Sequence, residues 1–245
     1  MINVLIPMAG RGSRFIEAGI TTPKPFIDVM GMTMIERVLE NLVCKDVHYL
    51  LIAQEEHINK HVDLVAKIKS KYQVDFIPIS QITEGAACTT LFAREFINNS
   101  NALVIANSDQ LVDINFQAFI DDCLNKNLDG SIMTFKDPTR DTKWSFASTN
   151  EEGLVERVAE KIAISDQATV GIYMFSKGSI YVNSALDMII RNQRTNNEFY
   201  VCPAYNFAIQ NNYKIGIYEI PQNHMHGLGT PEDLEAYINK QSNKI

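Results

Sequence analysis

Short apolar runs alternate with amphipathic stretches through the first half of the chain. The runs at 2–7, 47–53, 74–79 and 102–107 read as buried strands. Between them, 33–43, 56–70 and 87–98 carry helical periodicity. In the first of these Met34, Ile35, Val38, Leu39 and Leu42 fall on one face. This order predicts βαβ units, a mostly parallel sheet and right-handed crossovers. The loops starting at Met8, Ser80 and Asn107 then leave the carboxyl ends of strands, where ligands of such sheets collect.

The second half is less regular. Ser131 to Phe135, Lys143 to Ser148, Gly153 to Ala159 and Thr169 to Phe175 read as strands separated by turns such as Lys136-Asp137-Pro138. Helices near 177–191 and 203–211, a strand at 214–220 and a last helix from Pro231 to Lys240 follow. Thr230 is placed as the N-cap of that helix, ahead of Pro231 and Glu232-Asp233. The expected architecture is a single α/β/α sandwich with a mixed, mostly parallel sheet. Residues 1–130 form its nucleotide-binding half and 131–245 the half that takes the acceptor.

Composition narrows the class. The chain has 245 residues, 46% of them hydrophobic and 21% charged, enough for one sizeable core. A formal net charge of −7 argues against general nucleic-acid binding, which needs a basic face. No apolar run approaches the about 18 residues that span a bilayer, and the N-terminus shows no signal-peptide pattern. Cys44, Cys88, Cys123 and Cys202 are scattered without a Cys-x-x-Cys pair, as expected of reduced thiols in a cytoplasm.

The most informative segment joins the first strand to Met8-Ala9-Gly10-Arg11-Gly12-Ser13-Arg14-Phe15 and then to Pro23-Lys24-Pro25. Glycines at 10 and 12 let backbone N–H groups approach anionic oxygens, while Arg11, Arg14 and Lys24 supply charge. That combination suits a polyphosphate. A dinucleotide fingerprint is excluded, because Phe15 replaces its third glycine and Gly19, Pro23 and Pro25 break the helix that should follow. A Walker A loop is excluded because no Gly-Lys-Ser or Gly-Lys-Thr occurs.

At these residues the chain resembles the nucleotidyltransferase superfamily of nucleoside-diphosphate-sugar pyrophosphorylase type. That group is marked by Gly-x-Gly-Ser/Thr-Arg followed by Pro-Lys. The likeness continues in order through Glu84-Gly85-Ala86-Ala87, Asn107-Ser108-Asp109, Glu160-Lys161, Val170-Gly171-Ile172-Tyr173, Asn197-Glu198-Phe199-Tyr200 and Gly229-Thr230-Pro231. The resemblance implies a Mg²⁺-dependent enzyme that joins a nucleoside monophosphate to a phosphorylated small molecule and releases pyrophosphate.

Its implied roles are specific. Arg14 holds the β- and γ-phosphates and Lys24 lies near the α-phosphate, with Met8, Ala9, Gly10, Arg11, Gly12 and Ser13 completing the cradle. Gln81, Gly85, Ala86 and Ser108 belong to the nucleotide side, and Asp109 holds the metal. Glu160, Lys161, Gly171 and His226 face the acceptor, Lys161 through its phosphate. The family's second metal aspartate falls here on Gly227, so the metal has one protein carboxylate or borrows a group from elsewhere, with His224 and His226 nearby candidates for contacting metal or substrate.

Among subgroups, the chain looks most like bacterial capsule and surface-polysaccharide cytidylyltransferases, including those acting on phosphoglutamine, which makes CTP the expected donor. A hexose- or heptose-1-phosphate nucleotidyltransferase is the enzyme alternative, and a non-catalytic nucleotide-sensing subunit the alternative of another class. A glycosyltransferase of related fold is disfavoured, since Asp109 to Asp113 lacks Asp-x-Asp spacing. A homo-oligomer is left open.

Overall fold

A computed structural model describes residues 1–243. Its centre is a mixed sheet whose parallel part runs, in spatial order, Ala102–Ala106, Ile2–Pro7, Val47–Gln54 and Val74–Ile79. The antiparallel strand Gln167–Phe175 joins beside Ala102–Ala106 and carries Ser145–Thr149 and Val155–Glu160 outward. It also pairs with Gly130–Lys136, against which Ile215–Glu219 lies parallel.

The three inner parallel strands are buried on both faces, as their nearly continuous apolar sequence requires, while the edge strand Val74–Ile79 is largely open. Val4, Ile6, Val104 and Ala106 face one core with the helix Met34–Asn41 and its residues Met34, Ile35, Val38 and Leu39. Leu5, Leu103 and Ile105 face the other core with Tyr181 and Ala185 of the helix Gly178–Ile190 and Tyr205 and Phe207 of Ala204–Gln210. The helix Met34–Asn41 starts at a capping box in which Thr33 and Glu36 satisfy each other's backbone donors. Thr230 caps the last helix, Pro231–Ser242, accepting from Asp233 N at 3.1 Å.

Several boundaries differ from the sequence expectation. A short helix, Ser13–Glu17, does follow the glycine loop, and it stops before Gly19. The expected helix over 56–70 divides at His61 into Glu55–Lys60 and Val62–Lys71. The one over 87–98 is broken into Ala86–Thr90, a 3₁₀ turn and Arg94–Ile97. The helix Phe116–Asn125 is an addition: Phe116, Phe119, Ile120 and Cys123 have helical spacing, and Asn115 caps its first turn. The strand pair Gln110–Val112 and Met225–Gly227 is also new, and it joins the segment after Asp109 to the C-terminal part. No helix among the described residues is long and apolar enough to cross a membrane.

Candidate active site

Ile2–Pro7 has Val47–Gln54 on one side and Ala102–Ala106 on the other, so the strand order reverses at its carboxyl end. Such a switch point opens a crevice between neighbouring loops. Met8 N still donates to Ile52 O at 2.8 Å, after which the chain leaves the sheet. Gln54 fastens the departing loop by donating from Nε2 to Ala9 O at 3.0 Å. Gly12 takes a left-handed conformation, φ +63°, to begin the helix Ser13–Glu17. A Cβ there would lie 3.2 Å from Lys24 Cβ, so the glycine also lets the loop sit close on Lys24.

The loop forms one wall of an open cleft of about 600 Å³. Ala9, Gly10, Arg11, Gly12 and Ser13 line that wall, facing Ile82, Thr83, Gly85 and Ala86, with Glu198 also at the cleft. Gly85 has φ +125°, and a Cβ on it would fall 2.4 Å from Phe199 O. Only glycine fits that approach, which lets Phe199 N donate to Glu84 O at 2.8 Å and Ala87 N donate to Phe199 O at 2.9 Å. Arg194 reinforces the joint, donating from Nη2 to Glu84 Oε2 at 2.6 Å while lying over the Phe199 ring.

Three expected nucleotide residues occupy other surroundings. Met8 is buried in the core below the loop. Gln81 is exposed and does not line the cleft; Ile82 and Thr83 do. Arg14 stands exposed in the turn after the lining residues.

Lys24 lies in a 3₁₀ turn flanked by Pro23 and Pro25, and its ammonium pairs directly with Asp109 Oδ2. Their side chains are 18% and 23% exposed, so the pair remains open to a ligand. Asp109 follows the strand Ala102–Ala106, with Ser108 half-buried before it. Leu228 N donates to Asp109 O at 2.7 Å, and a Cβ on Gly229 would come within 3.2 Å of Asp109 Oδ2. The segment Gly227-Leu228-Gly229 therefore holds the aspartate by backbone and by lack of bulk.

Among the described residues, no group of three or more His, Cys, Asp and Glu side chains could hold a metal. One carboxylate still fits Mg²⁺, which commonly takes one or two carboxylates and completes its shell with phosphate oxygens and waters. A Cβ on Gly227 would be 3.9 Å from Asp233 Oδ2, which makes Asp233 the carboxylate beside the position where the family aspartate is absent.

Lys161 follows the strand Val155–Glu160 in a left-handed conformation, φ +56°. Its N–H donates to Trp144 O at 3.1 Å and its Nζ to Tyr200 Oη at 2.8 Å. Glu160 is buried and accepts from Ser145 Oγ. Burial raises its carboxyl pKa, and the Ser145 bond and Lys161 only partly oppose this. Gly171 O accepts from Asn107 N at 3.0 Å, placing this glycine against the segment that leads to Asp109. Glu198 was not anticipated as a site residue; its motif was visible but its place at the cleft depends on the Gly85–Phe199 joint.

His226, expected at the acceptor, has its side chain bonded between the small strand pair and the last helix. Its Nε2 lies 2.8 Å from Asp113 Oδ2 and its ring packs on Tyr237 of the last helix, with the side chain only 7% exposed. It joins the small strand pair to that helix.

Fold and site together define an α/β/α protein with a glycine loop at a sheet switch point, Arg11 lining the cleft beside it and Lys24 paired with Asp109. The chain belongs to the Nucleotidyl transferase family, whose profile matches residues 3–218. A curated relative, the catalytic subunit beta of mannose-1-phosphate guanylyltransferase from Drosophila melanogaster, is 27% identical over 182 residues. That match covers 71% of this chain and 48% of the relative, so the chain spans about half the length of the curated relatives it matches. Among solved structures, a nucleoside-diphosphate-sugar pyrophosphorylase from Vibrio cholerae superposes with a TM-score of 0.82 at 23% identity, covering 96% of this chain and 99% of that one. A UDP-glucose pyrophosphorylase complexed with UDP-glucose gives 0.80 at 16% identity, with 100% of both chains covered. These two likenesses speak for the fold.

Proposed function

We propose that this chain transfers a nucleoside monophosphate from a nucleoside triphosphate to a phosphorylated small molecule. An acceptor phosphate oxygen attacks the α-phosphorus, the bond to the β-phosphate breaks, and pyrophosphate leaves. The observation that carries this reading is the Lys24–Asp109 pair standing beside the glycine loop at the switch point. Both reactants are anions, so the work required is positioning and charge neutralisation without a protein nucleophile.

In this reading Ala9 to Ser13 cradle the phosphates, Arg11 and Arg14 neutralise the outer ones, and Lys24 exchanges Asp109 for the reacting phosphate. Asp109 then holds Mg²⁺, which supplies charge stabilisation at the phosphates when bound. Lys161 receives the acceptor's phosphate, with Glu160 next to it and Gly171 facing the acceptor from the strand that bonds to Asn107.

We infer CTP as the donor and capsule or surface-polysaccharide modification in the cytoplasm as the setting. Ala9 and Gly10 line the cleft, and in this reading one of their carbonyls accepts from the exocyclic amine of cytosine, that of Ala9 through the lone pair that Gln54 leaves free. Uracil or thymine would present another acceptor there, at a cost of about 1–3 kcal/mol, or roughly tenfold to a hundredfold in preference. The second reading, guanylyl transfer to a hexose 1-phosphate, draws on the name of the curated relative. A matrix of CTP, UTP, dTTP, ATP and GTP against phosphorylated sugars, amino-acid phosphates and phosphonates, read by pyrophosphate release, separates the two. CTP should give the highest kcat/KM; any other nucleotide exceeding it removes the cytidylyl assignment and leaves nucleotidyl transfer standing. No pyrophosphate with any combination would defeat the enzyme reading.

A further inference from the structure

We propose that Tyr200 is a positioning residue for Lys161, fixing its ammonium where the acceptor phosphate binds. The inference rests on the reading of Lys161 as the residue that meets that phosphate. A lysine on an exposed turn samples many rotamers, and a charge held in place binds an anion better than one that must be ordered on binding. Here each part of the lysine is held. Its backbone takes φ +56°, uncommon for a residue with a side chain, and its N–H is committed to Trp144 O. Glu160, the residue before it, is buried on Ser145.

The far end is held by Tyr200 alone among the hydrogen-bond partners found in the described residues. Nζ donates to the phenol oxygen at 2.8 Å and lies 4.8 Å from the ring centroid. A phenol oxygen suits this task because it is neutral: it orients the ammonium without cancelling the charge, as a carboxylate in direct contact would.

Tyr200 is itself well anchored. It follows Phe199, whose N–H and carbonyl are both bonded to the turn carrying Glu84 and Ala87, and Gly85 of that turn lines the nucleotide cleft. Glu198, on the other side of Phe199, reaches the same cleft. The segment 198–200 therefore ties the placement of the acceptor lysine to the wall against which the nucleotide binds.

Tyr200→Phe tests this because it keeps the ring and removes only the oxygen. The expected result is a roughly tenfold rise in acceptor KM, the scale of one hydrogen bond to a charged group, with NTP KM and the thermal midpoint unchanged. In a Lys161→Ala background, adding Tyr200→Phe should change acceptor KM no further, since the two residues act through one interaction. A wild-type acceptor KM in Tyr200→Phe, or the same additional loss in both backgrounds, would overturn the inference. Lys161→Ala alone distinguishes the two levels of failure. If it leaves acceptor KM unchanged, the reading of Lys161 falls and this inference with it; if it raises KM while Tyr200→Phe does not, only the role of Tyr200 falls.

Discussion

Two regions are built from different materials: the cleft that we propose as the nucleotide wall and, outside the lining of that cleft, the surroundings of Lys161 that we propose as the acceptor wall. On the nucleotide wall most of the geometry belongs to the backbone: a glycine loop bent at Gly12, a carbonyl held by Gln54, and a turn at Gly85 pressed against Phe199. Its arginines, Arg11 and Arg14, are exposed. On the acceptor wall the geometry belongs to side chains, and the charged ones are already engaged, Lys161 with Tyr200 and Glu160 with Ser145. A polyphosphate presents the same oxygens whatever base it carries, so repeated backbone donors can cradle it. An acceptor is distinguished by its own groups, and side chains in fixed positions are what can read them.

The largest effects should come from removing cations on the nucleotide wall. Arg14→Ala and Lys24→Ala should each lower kcat by roughly a hundredfold or more, the scale of losing one preorganised charge stabiliser. Their thermal midpoints should change little, because Arg14 is exposed and the Lys24–Asp109 pair is partly open to water. Lys161→Ala should instead raise acceptor KM and leave NTP KM alone. Near-normal kcat in either nucleotide-wall variant, or the reverse KM pattern for Lys161, would break the division of labour between the walls.

Asp109 sharpens the comparison because it belongs to both readings of charge, as partner of Lys24 and as metal ligand. Asp109→Asn keeps the shape and removes one negative charge, so the Mg²⁺ needed for half-maximal activity should rise by about tenfold or more. Asp233→Asn is the control. If Mg²⁺ is held by phosphates, waters and Asp109, this variant should keep its metal requirement; a rise equal to that of Asp109→Asn would make Asp233 the second carboxylate, supplied from beside Gly227.

The same contrast explains what could be read from the sequence. The inner parallel strands were legible because burial on both faces demands continuous apolar runs, as in Val4-Leu5-Ile6 and Leu103-Val104-Ile105. The glycine loop was legible because backbone geometry leaves a trace in glycine spacing. The helix Ser13–Glu17 was missed because only its brevity reconciles it with Gly19 and Pro23 downstream. The contacts of Lys24 with Asp109, Lys161 with Tyr200 and His226 with Asp113 join residues 85, 39 and 113 positions apart, and no local pattern announces them. Met8 and Gln81 show the limit of motif reading: adjacency to the loop or the turn did not decide which side chain points into the core and which into solvent.

The smallest effect tests the acceptor wall through stability. Glu160 is buried, and burial raises its pKa above the ordinary 4.5 despite the Ser145 bond. A carboxyl whose folded pKa is raised binds its proton more tightly in the folded chain. Its contribution is then fully present below the unfolded pKa and is lost as pH rises through the folded one. Glu160→Gln removes the ionisable group while preserving most of the volume. Its thermal midpoint relative to wild type should therefore move upward as pH is raised from about 4 to 8. Below pH 4 both proteins carry a neutral side chain at this position, and the difference should be smallest. Thermal unfolding across that range provides the check. A constant gap would mean that folding leaves the Glu160 pKa unshifted, and a variant midpoint that falls relative to wild type as pH rises would mean that Glu160 is held as a stabilised carboxylate, a negative charge beside Lys161.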